Sequence, residues 1–144
     1  MNIAADILAC AGLATCSYTD IESGKIPNKV ILILTAISAP VFGARFLLRF
    51  FMAVIFAAFL YCLNPLPVSP LSGGDLKLMS LVYGWYGLES GLLMLLAAFA
   101  LAGARGIYLI TRGKMKVGDG MQLAPYMAMG FLSLKIYEAI NVLR

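Results

Sequence analysis

Histidine is absent from this sequence, and charged residues of either sign are few. Without histidine, the chain cannot form His-containing zinc sites or the Ser-His and Cys-His pairs of many hydrolases. Charged residues make up 12% of the chain, whereas about a quarter of a soluble domain is charged. The three cysteines, Cys10, Cys16 and Cys62, lie in apolar segments without a Cys-x-x-Cys pair, so they predict neither a zinc site nor a redox pair.

Apolar residues dominate what is present. They form 62% of the 144 residues, and the mean hydropathy is +0.91. We therefore expect an all-α polytopic membrane protein in which residues 1–144 form a single membrane-embedded domain. The basic residues are scattered in loops without interleaved aromatic residues, which argues against a nucleic-acid partner. The lipid bilayer is the partner that this composition predicts.

Six apolar segments predict six transmembrane helices. Their boundaries are 3–19, 30–44, 46–63, 76–88, 91–110 and 121–140. The first segment lacks the basic start of a signal peptide, so we expect it to be retained. The fourth is shorter than the ~20 residues that a crossing helix needs. Because it follows a loop rich in proline and glycine, we expect it to begin within protein rather than at the lipid headgroups.

The basic residues predict the orientation in the membrane. With six spans, seven of them fall on the side of the first, third and fifth loops: Lys25, Lys29, Lys77, Arg105, Arg112, Lys114 and Lys116. Four fall on the other side: Arg45, Arg49, Lys135 and Arg144. We therefore expect the first side to face the cytoplasm and both termini to lie outside. Arg45 and Arg49, one helical turn apart, are expected to extend to the outer headgroups.

Two aspartates occupy positions where a membrane protein seldom holds a charge. Asp20 closes the first apolar segment and Asp75 opens the fourth, so both fall on the predicted cytoplasmic side. Ionisable groups there indicate function, and two carboxylates that share a proton can perform general acid/base chemistry. The glycines before Asp75, Gly73 and Gly74, would let a peptide backbone approach it closely. Taken singly, each aspartate also fits an ordinary role, Asp75 at a helix start and Asp20 at the membrane interface.

These residues resemble the type IV prepilin peptidase family, whose members are membrane-embedded aspartic proteases with a Gly-x-Gly-Asp signature. The resemblance rests on Asp20 followed by Ile26-Pro27-Asn28, and on Gly74-Asp75-Leu76-Lys77-Leu78 at the head of a later helix. A third segment, Leu123-Ala124-Pro125-Tyr126 through Gly130, is similar to the family's Pro-aromatic landmark. The motifs occur in the family's order over nearly the whole chain.

The resemblance implies a specific activity. Asp20 and Asp75 would be the catalytic pair, and Ser72, Gly73, Gly74 and Lys77 would shape the active-site loop. The substrate would be a prepilin or pseudopilin with a basic leader, cleaved at the cytoplasmic face of the inner membrane, and neither metal nor cofactor is expected. Ser72 departs from the signature, which has glycine there.

The chain resembles the short members of the family. Bifunctional members carry a further cytoplasmic region with cysteine pairs, which goes with N-methylation of the trimmed pilin, and the sequence contains no such region. We therefore expect a peptidase without methyltransferase activity, similar to those of tight-adherence (Flp) pilus systems.

Two other readings remain open from the residues. A small transporter or proton channel could use the same carboxylates as a relay, although such sites usually lie near the midplane of the bilayer. A non-catalytic pilus assembly protein of the same fold is the other alternative, and Ser72 is the residue that favours it.

Overall fold

The computed structural model describes residues 3–63, 73–116 and 121–142, and side chains throughout these ranges except at 59–63 and 142. Within the described ranges the chain is helical, as the sequence predicts. The helices are α1 (Ile3–Ser23), α2 (Asn28–Phe42), α3 (Ala44–Leu63), α4 (Gly73–Thr111) and α5 (Ala124–Val142). Ser72 lies outside the described residues.

Within the described residues the chain forms five continuous helices where the sequence predicts six. The fourth and fifth predicted segments both lie in α4, on either side of a break at Gly87. Gly87 interrupts this helix with φ 78° and ψ −173°. A Cβ at Gly91 would lie 2.7 Å from the Tyr83 ring. In a straight helix these two residues, eight positions apart, would be separated by about 12 Å along the axis. The arms 73–86 and 88–111 therefore fold back on each other at a single glycine. The predicted loop is absent because glycine reaches a positive φ without strain.

A second glycine makes a similar connection between α2 and α3. Gly43 has φ 75° and ψ −172°, and its N–H donates to the Ala39 carbonyl oxygen at 2.9 Å. Pro27, just before α2, has the extended backbone of a residue preceding a helix. The start of α2 lies beside the start of α4, since Lys77 contacts Asn28. The Gly43 and Gly87 turns therefore lie at the opposite end of the bundle from Asp20 and Asp75.

The outer surface is strongly apolar. Among the described residues, α4 is the one helix long and apolar enough to cross a membrane by length and composition, and α2 is a shorter apolar helix. Large apolar side chains are nevertheless exposed on several helices, for example Leu32 at 71% and Leu48 at 68%. Exposed apolar surface of this extent is unfavourable in water but favourable against acyl chains. The prediction of six transmembrane helices stays a prediction.

Helical periodicity directs both aspartates inward. The buried residues of α1 recur every three or four positions, at Ala5, Ala9, Leu13, Cys16 and Asp20, which is the spacing of one helix face. In α4, Asp75 begins a similar row. The row continues through Leu78, Val82 and Trp85. Each carboxylate therefore lies at the end of an apolar row that packs into the core.

Small residues allow the helices to approach closely. A Cβ at Gly130 on α5 would lie 2.5 Å from the Met94 carbonyl oxygen. A Cβ at Gly12 on α1 would lie 3.0 Å from the Trp85 ring and 3.1 Å from Leu34. Small residues at helix contacts are typical of membrane bundles, where van der Waals packing replaces the hydrophobic effect. These contacts fix α1 and α5 against the two arms of α4.

A half-buried polar cluster joins three helices at the end opposite the aspartates. The Lys135 ammonium lies 2.8 Å from the carboxylates of Asp6 and Glu138. The Tyr86 hydroxyl donates to Asp6 at 2.9 Å, and the Lys135 ammonium lies 5.0 Å from the centre of the Tyr86 ring. This cluster, called the outer cluster below, ties α1, α4 and α5 together.

Candidate active site

Asp20 lies in the last turn of α1, and its side chain is buried. The residue is 5% exposed. Its Oδ2 accepts a hydrogen bond from the backbone N–H of Ala124, at 3.3 Å. Ala124 is the first residue of α5, and the first N–H groups of a helix have no partner within the helix. The start of α5 therefore binds the Asp20 carboxylate, as helix N-termini bind anions.

Asp75 lies in the first turn of α4 and is 6% exposed. The Asp20 and Asp75 carboxylates are close enough for their charges to interact. The structure thus brings together the two aspartates that the sequence singles out, although α2 and α3 separate them along the chain. Two buried carboxylates whose charges interact disfavour ionisation of both, so such a pair can hold one proton between them.

Lys77 occupies a different place from the aspartates. Its Nζ donates to Oδ1 of Asn28, the first residue of α2, at 2.6 Å. Two residues correspond to about 200° around a helix, so Lys77 faces away from the buried row that contains Asp75, and the residue is exposed. The contact joins the Ile26-Pro27-Asn28 motif to the motif at 74–78, so the start of α2 lies beside the start of α4.

The glycines before Asp75 lie at the open end of α4. Gly73 is exposed, Gly74 is half-buried, and a Cβ at Gly73 would meet nothing within 4 Å among the described residues. Gly73 and Lys77 border an apolar groove of about 300 Å³ between α3 and α4. Among the described residues, nothing obstructs the approach of a peptide backbone to Gly73.

A larger cavity lies near Asp20, lined by its neighbour Ile21 and by residues of α5, but not by Asp20 itself. It has a volume of about 440 Å³, within the ~300–1,000 Å³ of small-ligand sites. Ile21 and Pro125, the neighbours in sequence of Asp20 and Ala124, form one wall. The remaining lining combines adaptable and polar side chains: Arg105, Leu109, Met115, Met121, Gln122, Tyr126 and Met129. Methionine adapts its shape to varied apolar groups, so the cavity suits a peptide with apolar side chains.

Sequence reasoning missed two of the groups that form this site. Ala124 contributes a backbone N–H, which no side-chain pattern reveals. Pro125 could have indicated this group. Proline in the first turn marks the start of a helix, where the backbone N–H groups have no partner within the helix. Asn28 belongs to the Ile26-Pro27-Asn28 motif, but its contact with Lys77 cannot be read from the sequence because it depends on how α2 and α4 pack.

The carboxylates do not form a metal centre with further acidic or sulfur ligands in the part of the chain that the structure describes. No three cysteine, aspartate or glutamate side chains converge there. The chemistry that the described site supports is that of two carboxylates sharing a proton beside a helix N-terminus. That no metal or cofactor takes part stays a prediction.

Comparison with known proteins agrees with the resemblance seen in the motifs. Two curated relatives, the prepilin leader peptidase/N-methyltransferases of Burkholderia pseudomallei strains 1026b and K96243, are each 29% identical over 132 residues. The alignments cover 84% of this chain but 42% of each relative, so the chain spans less than half their length. No solved structure matches. Residues 7–107, more than two thirds of the sequence, match the type IV leader peptidase family, and the chain therefore belongs to that family.

Proposed function

We propose that this protein is a membrane aspartic endopeptidase that removes the basic leader from prepilins or pseudopilins, with Asp20 and Asp75 as its catalytic pair. The observation that carries the proposal is the pairing of two buried carboxylates from α1 and α4, close enough to interact. Family membership supports the same reaction class. The proposal covers peptide cleavage alone, without methyl transfer.

The site lies at the end of the bundle that the basic residues assign to the cytoplasm. The α1–α2 connection contains Lys25, and Lys77 lies beside the start of α2. By the positive-inside rule this end faces the cytoplasm. Cleavage at the cytoplasmic face of the inner membrane follows, in a multi-pass protein whose active site is reached from that side.

The pair performs the reaction by dividing two roles. The ionised carboxylate accepts a proton from a water molecule, which attacks the carbonyl carbon of the scissile peptide. The protonated carboxyl donates a hydrogen bond to the carbonyl oxygen and stabilises the negative charge that develops there. When the tetrahedral intermediate collapses, the C–N bond breaks and the leaving nitrogen takes the proton that the base removed from water. The pair returns to its singly protonated state.

The helix ends favour one division of these roles. Asp75 lies at the N-terminus of α4, where the helix dipole stabilises a negative charge. Asp20 lies at the C-terminus of α1, where the helix dipole disfavours a negative charge. The hydrogen bond from the Ala124 N–H offsets part of that cost. Each helix end contributes about 0.3–1 kcal/mol. At Asp20 the start of α5 opposes the end of α1, so the α4 contribution at Asp75 remains, which amounts to about 2- to 5-fold in protonation. We assign the base to Asp75 and the shared proton to Asp20.

The cavity beside Asp20 supplies the substrate site in this proposal. A prepilin presents a peptide that runs into an apolar segment, and the methionine-rich walls around Met121 and Met129 fit such a segment. Gln122 and Arg105 provide hydrogen-bond donors for peptide carbonyl groups. The groove bordered by Gly73 would bind the part of the substrate on the other side of the scissile bond.

Processing of a co-expressed prepilin tests the proposal. The wild-type chain should shorten the substrate by the length of its leader, as read by mass spectrometry of the pilin. Asp75→Asn should accumulate in the membrane at the wild-type level yet leave the prepilin uncut. Glu22→Gln, two residues beyond Asp20 and exposed, is the matched control and should process normally. Normal processing by a properly inserted Asp75→Asn protein would disprove the assignment.

A further inference from the structure

An arginine that forms no ion pair among the described residues lies at one end of an apolar groove, at the end of the bundle opposite the aspartates. The groove has a volume of about 380 Å³ and lies between α3 and the Gly87 bend of α4. Apart from Arg49 its lining is apolar or aromatic: Leu48, Met52, Ala53, Phe56, Tyr83 and Leu88. A cation at one end of an apolar groove fits an amphipathic ligand with an anionic head.

The position of the Arg49 guanidinium is defined by the glycine beneath it. Its Cζ, Nη1 and Nε lie 3.3, 3.4 and 3.6 Å from the position of a Cβ at Gly87. Because the three distances are nearly equal, the guanidinium plane faces the glycine. Guanidinium N–H bonds lie in that plane, so they point sideways from the stack and are available to an anion. Any other residue at position 87 would occupy this space.

No carboxylate of the described chain neutralises this arginine. The ion pairs found among the described residues both involve Lys135, and the acid nearest in sequence to the bend, Glu89, is in neither of them. Arg45, one turn before Arg49 on α3, adds a second positive charge on the same side. A guanidinium binds phosphate through two parallel hydrogen bonds, more specifically than an ammonium does.

We propose that this groove is a binding site for one anionic phospholipid, with the phosphate on the Arg49 guanidinium and an acyl chain along α3. The tail would lie against Met52 and Phe56, which extend from Arg49 toward the interior of the bilayer. The lipid site would lie in the leaflet opposite the active site. The proposal depends on the placement of the bundle in the membrane. It does not depend on which peptide the enzyme cuts.

Binding of defined lipids to the purified protein tests the site. Native mass spectrometry would count phosphatidylglycerol and phosphatidylcholine of identical acyl chains retained by the wild type, Arg49→Gln, Arg49→Lys and Arg45→Gln proteins. The wild type should retain one phosphatidylglycerol in preference to phosphatidylcholine. Arg49→Gln should lower the affinity for phosphatidylglycerol about tenfold, since it removes charge-assisted hydrogen bonds. The affinity of Arg49→Lys for phosphatidylglycerol should lie between that of the wild type and that of Arg49→Gln.

Two controls separate a specific site from general attraction of anionic lipid. Arg45→Gln removes the same charge one turn away, outside the groove, and should bind like the wild type. Ala53→Phe fills the groove while keeping Arg49, and should lose the lipid as Arg49→Gln does. Soluble glycerol phosphate should not compete, because it has no tail for the groove.

Three results would overturn the proposal: equal retention of the two lipids, an equal loss in Arg45→Gln and Arg49→Gln, or full competition by glycerol phosphate. Cleavage of prepilin in detergent by Arg49→Gln should match the wild type. Failure of the lipid site and failure of the peptidase assignment are therefore distinguishable.

Discussion

Replacing Gly130 by alanine should push helix α5 away from helix α4. The added Cβ would lie 2.5 Å from the Met94 carbonyl oxygen and 3.5 Å from the Ala98 nitrogen. Both are backbone atoms, so no side-chain rotation relieves the clash. Overpacking of this kind costs about 1–3 kcal/mol, which exceeds the ~0.5–1 kcal/mol that alanine gains over glycine within a helix. The net effect is therefore a loss of stability.

Gly103→Ala is the matched control for this prediction. Gly103 lies within α4 and is exposed, and no atom of the described residues lies within 4 Å of its Cβ position. There the same substitution should stabilise the protein by about 0.5–1 kcal/mol, because only the helix preference changes. Equilibrium unfolding in mixed detergent micelles would give both free energies of unfolding. A Gly130→Ala protein as stable as the wild type would refute the packing that the structure shows.

The clash at Gly130 should also reach the active site. Gly130 and Ala124 are six residues apart on α5, and Ala124 donates to Asp20. A shift of α5 lengthens that 3.3 Å hydrogen bond, which costs transition-state stabilisation if Asp20 is catalytic. Cleavage by Gly130→Ala should therefore fall at substrate saturation, whereas cleavage by Gly103→Ala should not.

Other predictions follow from the contacts at the two ends of the bundle. Lys135→Met should lower the free energy of unfolding by about 1–3 kcal/mol, because it removes both ion pairs of the outer cluster, whereas Lys29→Met at an exposed position should change it little. Asn28→Ala should reduce kcat/KM about tenfold by releasing Lys77, and Asn28→Asp, which keeps an acceptor, should restore most of it. Gly87→Ala should destabilise the protein by about 1–2 kcal/mol in the same unfolding assay, because its φ of 78° strains any residue with a side chain; stability equal to the wild type would contradict the one-residue turn.

Local signals in the sequence were sufficient to predict much of the helical arrangement. The bounds of the apolar segments put Asp20 and Asp75 at helix ends. Because successive spans cross the membrane in opposite directions, both ends fall on one side. The second apolar segment, 30–44, predicts a helix that the structure begins at Asn28 and ends at Phe42. These features are predictable because they depend on residues close together in the chain.

The features that the sequence did not predict depend on backbone conformation and on contacts between distant helices. The reversal at Gly87 needs a single residue, so no polar loop marks it between the predicted segments 76–88 and 91–110. The Ala124 N–H is a backbone group whose role depends on the packing of α5 against α1. The contact between Lys77 and Asn28 joins residues 49 positions apart, and neither motif by itself indicates the other.

The central claim, that Asp20 and Asp75 act as one catalytic unit, is tested most directly by comparing cleavage rates of the purified Asp20→Asn, Asp75→Asn and doubly substituted proteins on one prepilin. If the pair shares a proton, each single change should abolish cleavage, and the double change should cost no more than either alone. Equal protein levels and unchanged unfolding would show that the loss is chemical. Wild-type cleavage by the folded Asp20→Asn protein, or losses in the singles that multiply in the double, would contradict the account.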